Sequence, residues 1–174
     1  MFKLEYLWRG FPGHPLHPPL TDAAIGAYTA ATALAIADVS GVLDQNGAVG
    51  WWLALLIGLL FTIPTALTGL ADWLAITWGS PLWWTATWHM LTMITATAFF
   101  AVAAAIGHSS YTAGNVHIGP FVLTAVGWCV LVVGGWLGGT ITFVHGIRVL
   151  NLVDEPTARA VLPVPLPEKE QAET

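Results

Sequence analysis

Residues 50–72 of the chain read GWWLALLIGLLFTIPTALTGLAD, and their only charge is the last residue, Asp72. The scarcity of charge continues further along the sequence. Between Gly50 and Gly146, Asp72 is the sole Asp, Glu, Lys or Arg. About 20 apolar residues in a helix cross a hydrocarbon core of about 30 Å, and a helix satisfies its own backbone hydrogen bonds in lipid. We therefore predict an all-α integral membrane protein.

The composition of the whole chain agrees with this class of protein. Of its 174 residues, 56% are hydrophobic and only 9% are charged, whereas about a quarter are charged in a soluble domain. The net charge of −5 comes mostly from the C-terminal tail, so we expect the lipid bilayer, and no nucleic acid, as a partner. A single cysteine, Cys129, excludes an intrachain disulfide and the Cys-x-x-Cys-His attachment of a c-type haem.

Four long apolar runs organise the chain into one four-helix bundle. The predicted spans cover about residues 20–43, 49–76, 85–107 and 120–149, and the first is the most polar of the four. Residues 1–19 form an interfacial segment, because charged residues alternate there with aromatic ones. Residues 150–174 are acidic and rich in proline, which predicts a disordered tail. No internal repeat is evident in the sequence.

The basic residues predict the orientation of the bundle. All five lie near the ends of the chain and none in a connecting loop: Lys3, Arg9, Arg148, Arg159 and Lys169. Positive residues favour the cytoplasmic side. An even number of spans places both termini on one side, so four spans with cytoplasmic termini satisfy the pattern.

With this topology, several polar residues converge at one depth of the membrane. His14 and His17, in the stretch His14-Pro15-Leu16-His17-Pro18, precede the first span, and Asp72 lies near the end of the second. His89 is near the start of the third span and His145 near the end of the fourth. Ionisable groups inside membranes usually face the bundle interior and carry a function. We expect the prolines to turn the entering chain over this end of the bundle.

Small residues accompany two of these histidines. On the fourth span, Gly134, Gly138 and His145 share one helical face, and the third span carries His89 above Ala96. Small residues spaced by four allow a neighbouring helix or a flat ligand to approach the backbone. Such a helix pair suits a haem, whose iron takes one axial nitrogen from each side.

Two motifs resemble a known family. Gly13-His14-Pro15-Leu16-His17-Pro18 before the first span, and Gly135-Trp136-Leu137-Gly138-Gly139 followed by Val144-His145-Gly146 at the last, look like a bacterial family of small four-helix membrane proteins catalogued as domain of unknown function 2231. The resemblance implies a multi-pass protein of the bacterial cytoplasmic membrane. Relatives are sometimes joined to a Rieske-type iron–sulfur domain, which implies electron transfer by association.

Our first hypothesis is an electron-transfer protein that holds a b-type haem near the cytoplasmic face. The preferred axial pair is His89 and His145. His14 and His17 then bind a propionate or support the site, or one of them replaces His89. Asp72 orients a ligand imidazole through its N–H, as carboxylates commonly do.

Two alternatives stay open. Three or four of the same histidines with Asp72 suit a transition metal ion, because imidazole and carboxylate bind several such metals. The face around Gly138 also suits a non-catalytic subunit that docks against other membrane proteins. No hydrolase constellation is evident, so we expect a carrier or subunit rather than an enzyme by itself.

Overall fold

A computed structural model describes residues 4, 6–43, 46–150 and 152–163, and it has the predicted four-helix architecture. Short elements flank the four long helices. In chain order the elements are α1 Tyr6–Arg9, β1 Gly10–Phe11, β2 His14–Pro15, α2 His17–Val39, α3 Asn46–Trp73, α4 Pro81–Ile106, α5 His108–Ala113, α6 Ile118–Gly139, a π-helical turn Thr140–Val144, and α7 Thr157–Ala160.

All four long helices are long and apolar enough to cross a membrane. Mean hydropathy is 1.3 for His17–Val39 and between 1.8 and 2.1 for the other three, which confirms that the first span is the most polar. The sidedness stays a prediction, and Lys3 and Lys169 lie outside the described residues. So does the tail beyond residue 163, for which disorder was predicted.

The first membrane helix begins earlier than the sequence indicated. The predicted span started near residue 20, whereas α2 starts at His17 with prolines in its first turn. Proline is tolerated there because the first N–H groups of a helix have no intrahelical partner. As a consequence His17 belongs to the membrane helix itself and not to the segment before it.

That preceding segment forms a tight hairpin. β1 and β2 pair in antiparallel register, with Phe11 opposite His14. Gly13 between them has a φ of +79°, a left-handed conformation that favours glycine. Leu16 then donates its N–H to the carbonyl of Arg9 at 3.3 Å. The chain is thus turned back on itself just before α2.

The four long helices associate as two hairpins. α2 packs most extensively on α3 and α4 on α6, while α3–α4 and α2–α6 contacts close the ring. This arrangement puts α2 and α4 diagonally across the bundle. The rings of Tyr28 from α2 and Phe100 from α4 meet at its centre, stacked with centroids 4.0 Å apart and planes 7° apart.

The two hairpins repeat one arrangement that the sequence did not reveal. Tyr28 follows His17 by 11 residues, and Phe100 follows His89 by the same number. The Tyr28 ring lies over Gly58 of α3, and the Phe100 ring lies over Gly127 of α6. Gly69 and Gly138, again 11 residues further along, lie under the rings of His17 and His89. The bundle therefore brings equivalent residues of its two halves to its centre.

The central stack makes a prediction about stability. A Cβ added at Gly58 lies 2.5 Å from Cε1 of Tyr28. The ring cannot retreat, since Phe100 stacks on it and its hydroxyl is 2.8 Å from that of Thr62. We expect Gly58→Ala to lower the unfolding free energy by about 1–3 kcal/mol, measured by thermal unfolding in detergent.

The matched control for this substitution is Gly26→Ala in α2. An added Cβ at Gly26 meets nothing within 4 Å, and alanine is the better helix former. We expect Gly26→Ala to leave the melting temperature unchanged or to raise it. Equal melting temperatures for the two variants contradict the tight packing of Tyr28 on Gly58.

Candidate functional site

The predicted convergence of polar residues is present at one end of the bundle. His17 contacts α3 near Asp72, His89 contacts α6 near its C-terminal end, and His145 contacts the first turns of α4. We call this the histidine end. His14 lies at the same end but in the hairpin that precedes α2, where its side chain is exposed.

His89 lies between α4 and α6 and is half-buried. Its Nδ1 is 2.8 Å from the carbonyl oxygen of Gly134. Gly138, one turn further along α6, lies beneath the ring, and a Cβ built there is 3.1 Å from Cε1. The glycine face predicted for the fourth span is therefore the surface on which His89 lies.

His17 has the same environment in the other hairpin. Its Nδ1 is 3.0 Å from the carbonyl oxygen of Thr65 and 3.2 Å from the hydroxyl of Thr68. Gly69 lies beneath the ring, where an added Cβ is 2.7 Å from Cε1. In both hairpins the imidazole thus hydrogen-bonds to a carbonyl of the neighbouring helix and lies over the glycine that follows that carbonyl by four residues.

These contacts determine which nitrogen of each ring carries the proton. A carbonyl oxygen only accepts hydrogen bonds, so Nδ1 of His17 and Nδ1 of His89 are the protonated nitrogens that donate to it. In a neutral imidazole the lone pair is then on Nε2. A backbone carbonyl on Nδ1 is the usual means of orienting a histidine whose Nε2 binds a metal.

His145 is held in a different way. It follows the π-helical turn, and its Nε2 is 3.1 Å from the hydroxyl oxygen of Thr85. That hydroxyl donates to the carbonyl of Pro81 at 3.0 Å, so it accepts from Nε2–H of His145. In this arrangement Nε2 carries the proton and the lone pair is on Nδ1, the reverse of His17 and His89. The geometry thus favours His17 over His145 as the counterpart of His89.

Asp72 contacts arginines rather than an imidazole. Its Oδ1 is 3.2 Å from Nε of Arg9 and 3.2 Å from Nε of Arg148. Arg148 also donates to the carbonyl of Arg9. The predicted orienting contact of Asp72 on a histidine is therefore replaced by an ion-pair cluster, and main-chain carbonyls orient the two imidazoles.

The two matched histidines lie at the same end of the bundle, on the diagonally opposed helices α2 and α4. Seven residues after each histidine lies a buried alanine, Ala24 in α2 and Ala96 in α4. Within the described parts of the chain, no three His, Cys, Asp or Glu side chains are grouped as a metal ion needs.

The sequence reasoning missed several residues of this site. It gave His17 as a support or as a replacement for His89, and it assigned no role to Thr65 or to the pairing of Asp72 with the arginines. A signal was available in the shared spacing, since a histidine precedes an aromatic residue by 11 positions in both hairpins. Only the pairing of α2 with α3 and of α4 with α6 shows that the spacing matters.

Comparison with known sequences completes the description of the site. No curated protein and no solved structure matches the chain significantly. One family matches residues 13–151, and its description reads "predicted membrane protein" with the family name DUF2231. The matched range extends from the hairpin before α2 to the segment after the π-helical turn and includes all four spans. The chain therefore belongs to the DUF2231 family of membrane proteins.

Proposed function

We propose that the protein transfers electrons in the membrane through a b-type haem bound between His17 and His89. The observation that carries the proposal is the matched pair of imidazoles, each donating from Nδ1 to a helix carbonyl and each lying on a glycine. This differs from the pair His89 and His145 favoured by the sequence, because Nε2 of His145 is engaged with Thr85.

The donor set suits haem better than a bare metal ion. The macrocycle supplies four nitrogens to the iron, so the protein needs to offer only two more. A metal ion held by protein alone usually takes three or four ligands. Gly69 and Gly138 make room for the two imidazole rings, and the buried alanines Ala24 and Ala96 are small residues on which a flat macrocycle would pack. Four-helix bundles build such sites between facing helices.

Each part of the site has a defined task in this function. The axial nitrogens and their surroundings set the reduction potential of the iron. The carbonyls of Thr65 and Gly134 hold the imidazoles in the tautomer that binds iron. The apolar helices around the histidines would limit the access of water to the iron, which suits a carrier of electrons. The redox partner we propose is another membrane-associated redox protein, such as a Rieske-type iron–sulfur protein, at the bacterial cytoplasmic membrane.

The test is the absorption spectrum of the purified protein. The full chain is produced in cells supplied with a haem precursor, solubilised in mild detergent, and measured before and after reduction with dithionite. We expect a Soret band and a sharp α-band that appears on reduction, with about one haem per chain by the pyridine haemochrome assay. A colourless protein that also fails to bind added hemin contradicts the proposal.

Elemental analysis of the same sample tests the alternative metal site. Stoichiometric zinc, copper or nickel in a colourless protein supports a bare ion held by the histidines. Iron in the same amount as haem supports our proposal. The two outcomes are distinct because they differ in the bound element and in the absorption spectrum.

A further inference from the structure

The two halves of the site differ in charge. Asp72 lies three residues after Gly69, the glycine under His17, and it carries the ion pairs to Arg9 and Arg148. Three residues after Gly138 the second hairpin has the uncharged Ile141. The charged cluster therefore belongs to the His17 side of an otherwise repeated arrangement.

The cluster is partly buried and lies close to the His17 side of the site, so its charges are only weakly screened there. The side chains of Asp72, Arg9 and Arg148 are 15%, 28% and 24% exposed, so water screens them only in part. Asp72 is one helical turn from Gly69 on α3. Gly69 in turn lies under the His17 ring. Two charges a few ångströms apart interact far more strongly in low-dielectric surroundings than in water.

We propose that this cluster tunes the reduction potential of the haem, with the Asp72 carboxylate lowering it and the guanidinium groups of Arg9 and Arg148 raising it. The inference rests on the proposed haem site. Reduction converts iron(III) to iron(II) by adding one electron, supplied in a titration by dithionite. The site thereby gains one negative charge, which a neighbouring anion disfavours and a neighbouring cation favours.

The experiment is a redox titration of full-length variants with optical detection of the α-band. Asp72→Asn removes a negative charge and is expected to raise the midpoint potential. Arg148→Gln removes a positive charge and is expected to lower it. Each change is expected to alter the ratio of reduced to oxidised haem at a fixed ambient potential by about tenfold. A purely structural role of the cluster does not shift the midpoint potential in opposite directions for the two variants.

Two further variants keep the test decisive. Arg148→Lys retains the charge and is expected to hold the potential close to that of the native protein, even if the geometry changes. Arg159→Gln removes a charge that is 68% exposed and pairs with Glu155 in the tail, so it is expected to leave the potential unchanged. If Arg148→Gln fails to fold, Arg9→Gln replaces it with the same expected sign.

The outcomes separate the tuning role from the haem site itself. A native protein without haem overturns the proposed function. Haem-loaded variants whose potentials do not move, or move in one common direction, overturn only the tuning role. Asp72→Asn and Arg148→Gln could instead lose haem while the remaining haem keeps its native potential. This result also overturns the tuning role, because the cluster then only stabilises the fold around the site. Persistence of the shifts in 1 M salt supports it, since surface charges are screened there.

Discussion

Replacement of His17 or His89 by alanine is expected to abolish the Soret and α-bands of the haem-loaded protein. Each substitution removes one of the two imidazoles whose Nε2 is available for iron. Loss of a group that only supports a ligand costs about 10- to 100-fold in metal affinity, so loss of the ligand itself is expected to cost more. The measurement is haem content per chain after purification, together with the spectrum of each variant reconstituted with hemin.

The matched controls are His145→Ala and His14→Ala. Nε2 of His145 is engaged with Thr85, and His14 is exposed in the hairpin before α2. Both variants are expected to keep the bands. Added imidazole is expected to restore the spectrum of His17→Ala and His89→Ala, because a free ligand can occupy the space that the side chain leaves. Loss of the bands in His145→Ala with their retention in His17→Ala restores the pair favoured by the sequence.

Much of the architecture was predictable because lipid imposes simple rules. A nearly uncharged stretch ending at Asp72 indicated membrane helices, and charge placement gave an even number of spans. The common depth of His17, Asp72 and His89 followed from that topology and is observed. The helical face with Gly134 and Gly138 was also predicted, and α4 packs on it through Met93 and His89. These features depend on spacing along single helices.

The matched contacts of His17 and His89 were not predictable, because they depend on packing between helices. The availability of a histidine nitrogen is decided by its partner, and the carbonyls of Thr65 and Gly134 carry no sequence signature. The start of α2 was placed a few residues late, so His17 was assigned to the segment before the bundle. The repeat was missed since the two hairpins share positions and not a recognisable run of identical residues.

The position of Gly138 bears on the alternative of a docking subunit. That hypothesis used the glycine face of the last span as a surface for another membrane protein. Gly134 and Gly138 instead contact Met93 and His89 within the bundle. A Cβ built at Gly135 points into open space, with nothing within 4 Å beyond its own stretch of helix. A substitution at Gly138 therefore tests the interior site, while a substitution at Gly135 tests the outer surface.

Leucine in place of Gly138 or Gly69 is expected to remove haem as completely as loss of a ligand. A Cβ at Gly138 lies 3.1 Å from Cε1 of His89, and one at Gly69 lies 2.7 Å from Cε1 of His17. The rest of a leucine side chain occupies the space of the imidazole and forces it away from its carbonyl. The ring then loses the contact that fixes its tautomer and its direction. Gly138→Ala adds only the Cβ, so we expect partial haem loss, intermediate between the native protein and Gly138→Leu.

Gly135→Leu is the control for these variants, since it adds the same side chain to the same helix at a position where a built Cβ points into open space. We expect native haem content and native far-ultraviolet circular dichroism for it. Gly69→Leu and Gly138→Leu are expected to keep the helical circular dichroism while losing the α-band. Equal haem content in Gly138→Leu and Gly135→Leu contradicts the site, because a haem held by His89 requires the imidazole to lie on a residue without a side chain.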